Sequence, residues 1–332
     1  MMYIDKTSPK INRASKEHCN RLIDKIKSKR YEHGSPEIIC FLTENRIEQI
    51  LLGNPRKLYQ LQMLFFRKIL DKFTLQKWEN YIRIEKKRKP TDSEISLIQK
   101  YSEIKNILSK IFDYKDFISI NSENKYKAYN LAENLDIPTC VYCNRMYTKT
   151  VIDNKGLIRP TFDHYFSKEK HPLLALSFYN LIPCCTICNS SIKGTKELFL
   201  DKHFHPYVSD RKDINKQIKF SYYNRSLDSY GFTIKSPKNS KGEKTVEFFK
   251  LKEIYEAHKD EISDLARLRY AYSETYLKDL RENIMKRTIS EKEVYRLAFG
   301  TYIEESEFHK RPLSKMKRDI LSELGILKHF KK

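Results

Sequence analysis

No stretch of this 332-residue chain approaches the roughly 18 consecutive apolar residues that a membrane-spanning helix needs. The opening residues, Met1-Met2-Tyr3-Ile4-Asp5-Lys6, have no apolar core of the kind a secretory leader carries. Both absences lead to the expectation of a soluble, cytoplasmic protein with no membrane partner. There is no internal repeat, no low-complexity tract and no Walker A phosphate loop, so any nucleotide hydrolysis belongs to a partner. Acidic residues are also short: 43 Asp+Glu face 64 Lys+Arg, a net charge of +21. That excess favours a polyanionic partner, nucleic acid first and an acidic membrane surface as its rival. A generally lysine-rich proteome would give the same excess without any function. The seven cysteines are an odd number, and four of them fall in two Cys-x-x-Cys pairs, which argues for a metal site over a disulfide framework.

The length suggests about two domains. Residues 1–34 are polar and basic, with Lys25, Lys27, Lys29 and Arg30 close together. They suit either a solvated helix face or an arm touching phosphates. Ser35-Pro36 predicts a helix start, Gly53-Asn54-Pro55 ends one helix and begins the next, and Thr74 and Thr91 cap two more. Apolar residues recur at helical spacing throughout, and a shorter helix is expected over 122–135. Cys19 and Cys40 read as ordinary thiols, Cys40 as a core residue. Residues 147–152 and 157–163 are strand-like and predict a hairpin turning at Asp153-Asn154-Lys155-Gly156, with a loop and short helix after it and a further helix opened by the second cysteine pair. A second hairpin is expected over 217–236. One long helical pattern follows from about 244 to 287, then helices opened by Ser290 and Pro312. The expected fold class is therefore mainly α with a small α+β insert. It divides into a helical region 1–136, a metal-bearing module 137–208 and a hairpin plus helical region 209–332.

The chemistry concentrates in the module. Cys140, Cys143, Cys185 and Cys188 have the spacing of a four-thiolate structural Zn²⁺ site, with no position left for water. Cys184 competes with Cys185, but only Cys185 keeps the two-residue spacing to Cys188. Between the pairs lies Asp163-His164. Asp163 offers a carboxylate and Asn189 a side-chain oxygen, the hard donors that suit Mg²⁺ or Mn²⁺. His164 is placed to take a proton from water. Lys193, four residues beyond Asn189 and close to a helix N-terminus, is the candidate phosphate contact. His171 reads as a loop residue, and His203 and His205 either fold back to this site or are surface histidines.

The succession Cys-x-x-Cys, Asp-His, Asn180-Leu181-Ile182-Pro183 and Cys-x-x-Cys-Asn resembles the HNH (ββα-metal, His-Me finger) endonucleases in their zinc-bearing form, which phage junction resolvases of the endonuclease VII type share. The resemblance covers roughly residues 137–208. It implies His164 as general base, Asp163 and Asn189 as catalytic Mg²⁺ or Mn²⁺ ligands, and Asn180 as the residue bracing the loop that holds the base. The runs 159–166 and 174–180 are similar to the HNH subunits (PtuB-like) of Septu-type phage-defence systems. That likeness implies antiviral defence and an ABC/AAA-type ATPase partner; DNA is expected as target ahead of RNA, a choice the sequence itself leaves open. The chain departs from the usual motif where a final histidine would stand, and Lys193 occupies that neighbourhood. A catalytically silent zinc module that binds nucleic acid or a partner protein is the alternative expectation, although such a binder needs neither Asp163 nor His164.

Overall fold

The computed structural model describes residues 1–121, 123–153, 157–226, 229–279, 282–283 and 289–327. It is mainly helical, with two small antiparallel sheets, and none of its described helices is long and apolar enough to cross a membrane.

The first eight helices follow local signals closely. They are α1 (Pro9–His33), α2 (Pro36–Phe41), α3 (Glu44–Leu52), α4 (Pro55–Ile69), α5 (Leu75–Ile84), α6 (Asp92–Ile111), α7 (Tyr114–Ile118) and α8 (Ala128–Leu135). Side-chain oxygens of Ser35, Thr43, Asn54, Thr74 and Thr91 accept from the exposed amides of the first turns of α2 to α6. Each satisfies a donor that the helix cannot, and such a cap contributes about 1 kcal/mol. Residues 1–34 are neither an arm nor a fully solvated face. Ser8 caps α1, whose Ile11, Ala14, Cys19, Leu22 and Ile26 are buried. Its cations are engaged: Lys29 with Asp113 at 2.8 Å, Lys27 with Asp24 and Glu44, Lys25 with Asp116, and Arg30 with the Leu42 carbonyl. Cys40 is exposed, because in the six-residue α2 the core is taken by Ile38 and Phe41, one helical turn apart. The helix expected over 122–135 forms only from Ala128, and Ser122 lies outside the described residues.

In the middle of the chain the strand pairing differs from the hairpin that the sequence suggests. Strand β1 (Thr161–His164) pairs with β2 (Leu181–Cys184), setting Asp163 opposite Ile182 and His164 opposite Leu181. Residues 147–158 form no named strand: isolated bridges join Tyr147 to Thr139 and Val151 to Ile158, with Tyr147, Leu157 and Ile158 exposed; part of the expected turn, 154–156, lies outside the described residues. The reason is burial. Every residue of β2 is buried and Phe162, Asp163 and His164 are buried on β1, whereas in 147–152 only Thr148 is buried, too little to pay for ordering a strand.

Beyond the module come α9 (Arg211–Gln217) and the hairpin β3 (Lys219–Ser226) with β4 (Ser229–Lys235). The single long helix expected over 244–287 is broken into α10 (Lys241–Phe248), α11 (Leu251–Glu256), α12 (Asp260–Ala271) and α13 (Glu274–Asp279), and 284–288 lie outside the described residues. Lys250 adopts a left-handed φ of 48°, which turns the chain so that Leu251 and Tyr255 cover the hairpin's Phe220 and Phe232. Helices α14 (Glu291–Phe299), with the Ser290/Glu293 capping box, and α15 (Ser314–Glu323) complete the fold. One buried apolar cluster runs through residues of all three sequence regions.

Three buried histidines make this fold acid-sensitive. His18 joins α1 to the module: one ring nitrogen donates to the Leu176 carbonyl at 2.8 Å and the other meets the Tyr126 hydroxyl at 3.2 Å. Burial lowers its pKa from 6.5 to about 4, and lowers those of His164 and His205 to about 3. A histidine whose folded pKa is depressed stabilises the fold fully above its unfolded pKa and loses that contribution as pH falls through the folded value. The fall for His18 alone, between pH 6.5 and 4, is on the order of 3 kcal/mol. Urea unfolding from pH 7 to pH 4 is therefore expected to show a steady loss of stability, shallower in His18→Gln. A flat profile across that window would contradict the burial of these neutral rings.

Candidate functional site

The two cysteine pairs meet. The Sγ atoms of Cys140, Cys143, Cys185 and Cys188 all lie within 4.8 Å of one another, and all four residues are buried. Four sulfurs bound to one tetrahedral Zn²⁺ at about 2.3 Å stand roughly 3.8 Å apart, so the cluster can hold such an ion. Each pair sits on a tight turn whose backbone N–H groups point at sulfur: Arg145 N–H at Cys143 Sγ (3.4 Å) and Cys188 N–H at Cys185 Sγ (3.5 Å). Burial holds the Cys140 thiol well above its ordinary range, and a bound cation would reverse that. Cys184, the rival ligand, faces Thr161 across the sheet at 3.6 Å and is not part of the cluster. The first turn is also anchored by distant chain. Met2 N–H donates to the Val141 carbonyl (2.8 Å), Tyr255 hydroxyl to the Cys143 carbonyl (2.5 Å), and the Asn144 amide to the carbonyls of Phe308 and Arg311.

Asp163 comes next, at the centre of β1. It is 2 % exposed, and both its oxygens are engaged: Tyr142 hydroxyl donates to Oδ2 at 2.6 Å, and Lys193 Nζ lies 3.0 Å from Oδ1. Desolvation raises its pKa, while Lys193 and the Tyr142 hydrogen bond pull the other way. Tyr142 lies between the two cysteines of the first pair, with its ring stacked on Phe249 at 4.1 Å. The thiol cluster thus reaches the carboxylate through one rigid side chain. Sequence reasoning missed Tyr142, since only the folded register shows where its hydroxyl ends.

His164 is oriented from both sides. Its Nε2 lies 2.9 Å from the Ala175 carbonyl, so that nitrogen carries the proton and Nδ1 is left as the base. Tyr114 packs edge-on against the ring at 4.4 Å and donates its own hydroxyl to the Phe162 carbonyl. Tyr114 comes from α7, 50 positions away in sequence, and nothing local marks it as part of the site. The loop between β1 and β2 is closed by the fully buried Asn180. It accepts from Phe166 N–H at 2.7 Å and donates to the carbonyls of Phe166 (3.1 Å) and Leu174 (2.9 Å).

The second cysteine pair opens a π-helix (Ile187–Lys193) where the sequence suggested an ordinary helix. Gly194 ends it with φ 52° and closes a five-residue bond to the Asn189 carbonyl at 2.8 Å. Lys193 is consequently the last residue of this helix, not one near its start, and its ammonium is 2 % exposed against Asp163. As a direct phosphate contact it would first have to leave that carboxylate.

Asp163, His164, Asn189, Lys193, Arg159 and Tyr114 line one cavity of about 350 Å³. His203 and His205 do not line it. Both are buried elsewhere, His203 accepting from Phe199 N–H and His205 packed on Tyr165 at 4.3 Å. His171 lies in a loop, as expected, but it is buried there: it is 4 % exposed and bonds Glu197 at 2.6 Å and Gln62 at 2.7 Å. No family profile, curated protein or solved structure matches this chain.

If Asp163 holds an activating divalent ion, Tyr142→Phe, which removes the hydroxyl joining the first cysteine turn to that carboxylate, is expected to lower the ion's apparent affinity by about 10- to 100-fold, as losses around a ligand commonly do. Zinc content should not change. Metal-activation curves identical to wild type would remove Tyr142 from this role.

Proposed function

We propose that this chain is a metal-dependent endonuclease of the HNH type, hydrolysing phosphodiester bonds of nucleic acid, DNA in preference to RNA. The observation that carries the reading is the convergence in one cavity of a carboxylate, an oriented imidazole and an amide oxygen, buttressed by four cysteines suited to structural Zn²⁺. Asp163 and Asn189 are the residues that would hold Mg²⁺ or Mn²⁺. The donor chemistry fits: Lys193 and Tyr142 each use one lone pair of the carboxylate, and each oxygen has a second. When bound, such an ion neutralises phosphate charge and stabilises the leaving oxygen. His164, as base, takes a proton from the attacking water at Nδ1, and the Ala175 carbonyl holds its tautomer. Asn180 fixes the loop that carries the ring. Arg159, on the cavity's rim and over the Tyr129 ring at 5.3 Å, supplies positive charge for the strand.

The expected result is nicking or cleavage of plasmid DNA with Mg²⁺ or Mn²⁺, abolished by EDTA. Tight DNA binding without cleavage in either ion would instead support the second reading, a silent zinc module binding nucleic acid or a protein. The closed Asp163–Lys193 pair favours that reading, since a carboxylate neutralised by its own lysine can be purely structural. Antiviral defence and an ATPase partner follow from the sequence resemblance and belong to the same proposal. Co-purification with the product of an adjacent reading frame tests them.

A further inference from the structure

Behind the loop that follows His164 lies a second cavity, of about 410 Å³. Its lining mixes leucines (Leu75, Leu198, Leu200) with aromatic rings: the buried Trp78 and Phe166 at its back, and the more accessible Tyr59 of α4 and Phe199 at its mouth. Phe166 is only two residues beyond His164, so the two backbones are within about 7 Å. The polar end of the cavity is built and buried. His171 donates to Glu197 at 2.6 Å, Lys170 pairs with the same carboxylate at 2.6 Å, and the Trp78 indole N–H is fixed on the Lys170 carbonyl at 2.9 Å. Phe199 is 44 % exposed at the edge, with Lys202 over its ring at 5.1 Å, and Arg56 also lines the cavity. None of these groups is used by the site at Asp163 and His164.

We infer that this cavity binds a nucleobase. Aromatic walls accept a planar heterocycle by stacking, and every base offers a π-face to them. The Glu197 carboxylate, held in place by His171 and Lys170, keeps further lone pairs that can accept from a base's amino group. Arg56 on the lining and Lys202 over the Phe199 ring supply positive charge near the cavity, beside the acidic Glu79 and Asp201 that also line it. The base belongs to a strand engaged by the neighbouring cavity, an assignment that rests on the nuclease reading, because the loop 165–171 separates the two cavities by one wall. Splayed single-stranded bases are recognised in this manner.

The test uses the chain's only tryptophan, Trp78, as reporter. The full-length, zinc-loaded protein is titrated in the absence of Mg²⁺ and Mn²⁺ with single-stranded DNA of mixed sequence, with the same length of abasic sugar-phosphate strand, and with free deoxynucleoside monophosphates. The expected result is saturable quenching by the base-bearing strand and little by the abasic one. Affinity should fall about 10-fold or more in Phe199→Ala, and again in Tyr59→Leu. Quenching by mononucleotides alone would keep the nucleobase and assign a free nucleotide as its source. No quenching by any base-bearing ligand, or unchanged strand affinity in both variants, overturns the inference. That failure is distinguishable from failure of the nuclease reading, which is judged on wild-type plasmid cleavage.

Discussion

On the proposed nuclease reading, alanine in place of His164 is expected to lower Mg²⁺- or Mn²⁺-dependent cleavage by about 10²- to 10⁴-fold, the range that a positioned base supplies, and to leave DNA affinity within a few-fold of wild type. Binding survives because the ring contributes almost no surface: His164 is 6 % exposed, and the charge facing a phosphate backbone comes from Arg159 and the rest of a +21 chain. The substitution also strips the Ala175 carbonyl of its donor, a buried loss of about 1–3 kcal/mol. His164→Gln carries an amide N–H to the position of Nε2 and so keeps a donor for that carbonyl but offers no imidazole base, so it separates folding from catalysis. It should melt nearer to wild type and still fail to cleave. Equal cleavage by wild type and His164→Ala would remove this residue from the chemistry.

Cys140→Ser is expected to have the largest effect on the fold. It should release zinc and cost on the order of 4–5 kcal/mol, in the class of losses that follow removal of a structural metal. The cost is large because the turn at Cys140 is where four distant parts of the chain are tied: Met2, Tyr255, the carbonyls of Phe308 and Arg311, and β2 through Pro183. Cys184→Ser is the matched control. Its sulfur faces Thr161 and not the cluster, so the variant should keep its zinc. Unchanged zinc content and melting in Cys140→Ser would mean that the four thiols hold no ion. Loss of zinc in Cys184→Ser would mean that the ligand set is wrong.

Much of this architecture was legible before folding. Capping residues marked where α2, α4, α5 and α6 begin, because a cap and the turn it satisfies are neighbours in sequence, but the single helix expected from Ser35 to Gly53 is broken at Leu42–Thr43 into α2 and α3. The two Cys-x-x-Cys pairs announced one cluster, since two thiolates separated by two residues suit a common metal. The errors fell where distant chain decides. Residues 147–152 carried a strand pattern, yet β1 took β2 as its partner because that pairing buries both strands. The apolar periodicity over 244–287 gave no sign of the left-handed residue at Lys250, which answers to the hairpin beneath it. Cys40 was assigned to the core by its type, and a six-residue helix had room for only one buried stripe.

At the site the division is sharper. By itself the sequence determined which donors the protein owns: four thiols, an Asp-His step and a following asparagine, each recognisable by type and spacing. Only the tertiary structure decided what those donors face, namely that Tyr142 and Lys193 close on Asp163 and that Ala175 and Tyr114 orient His164. Donor identity is carried by single side chains and short spacings, whereas partner choice is a competition among groups far apart in the chain, settled by burial and register.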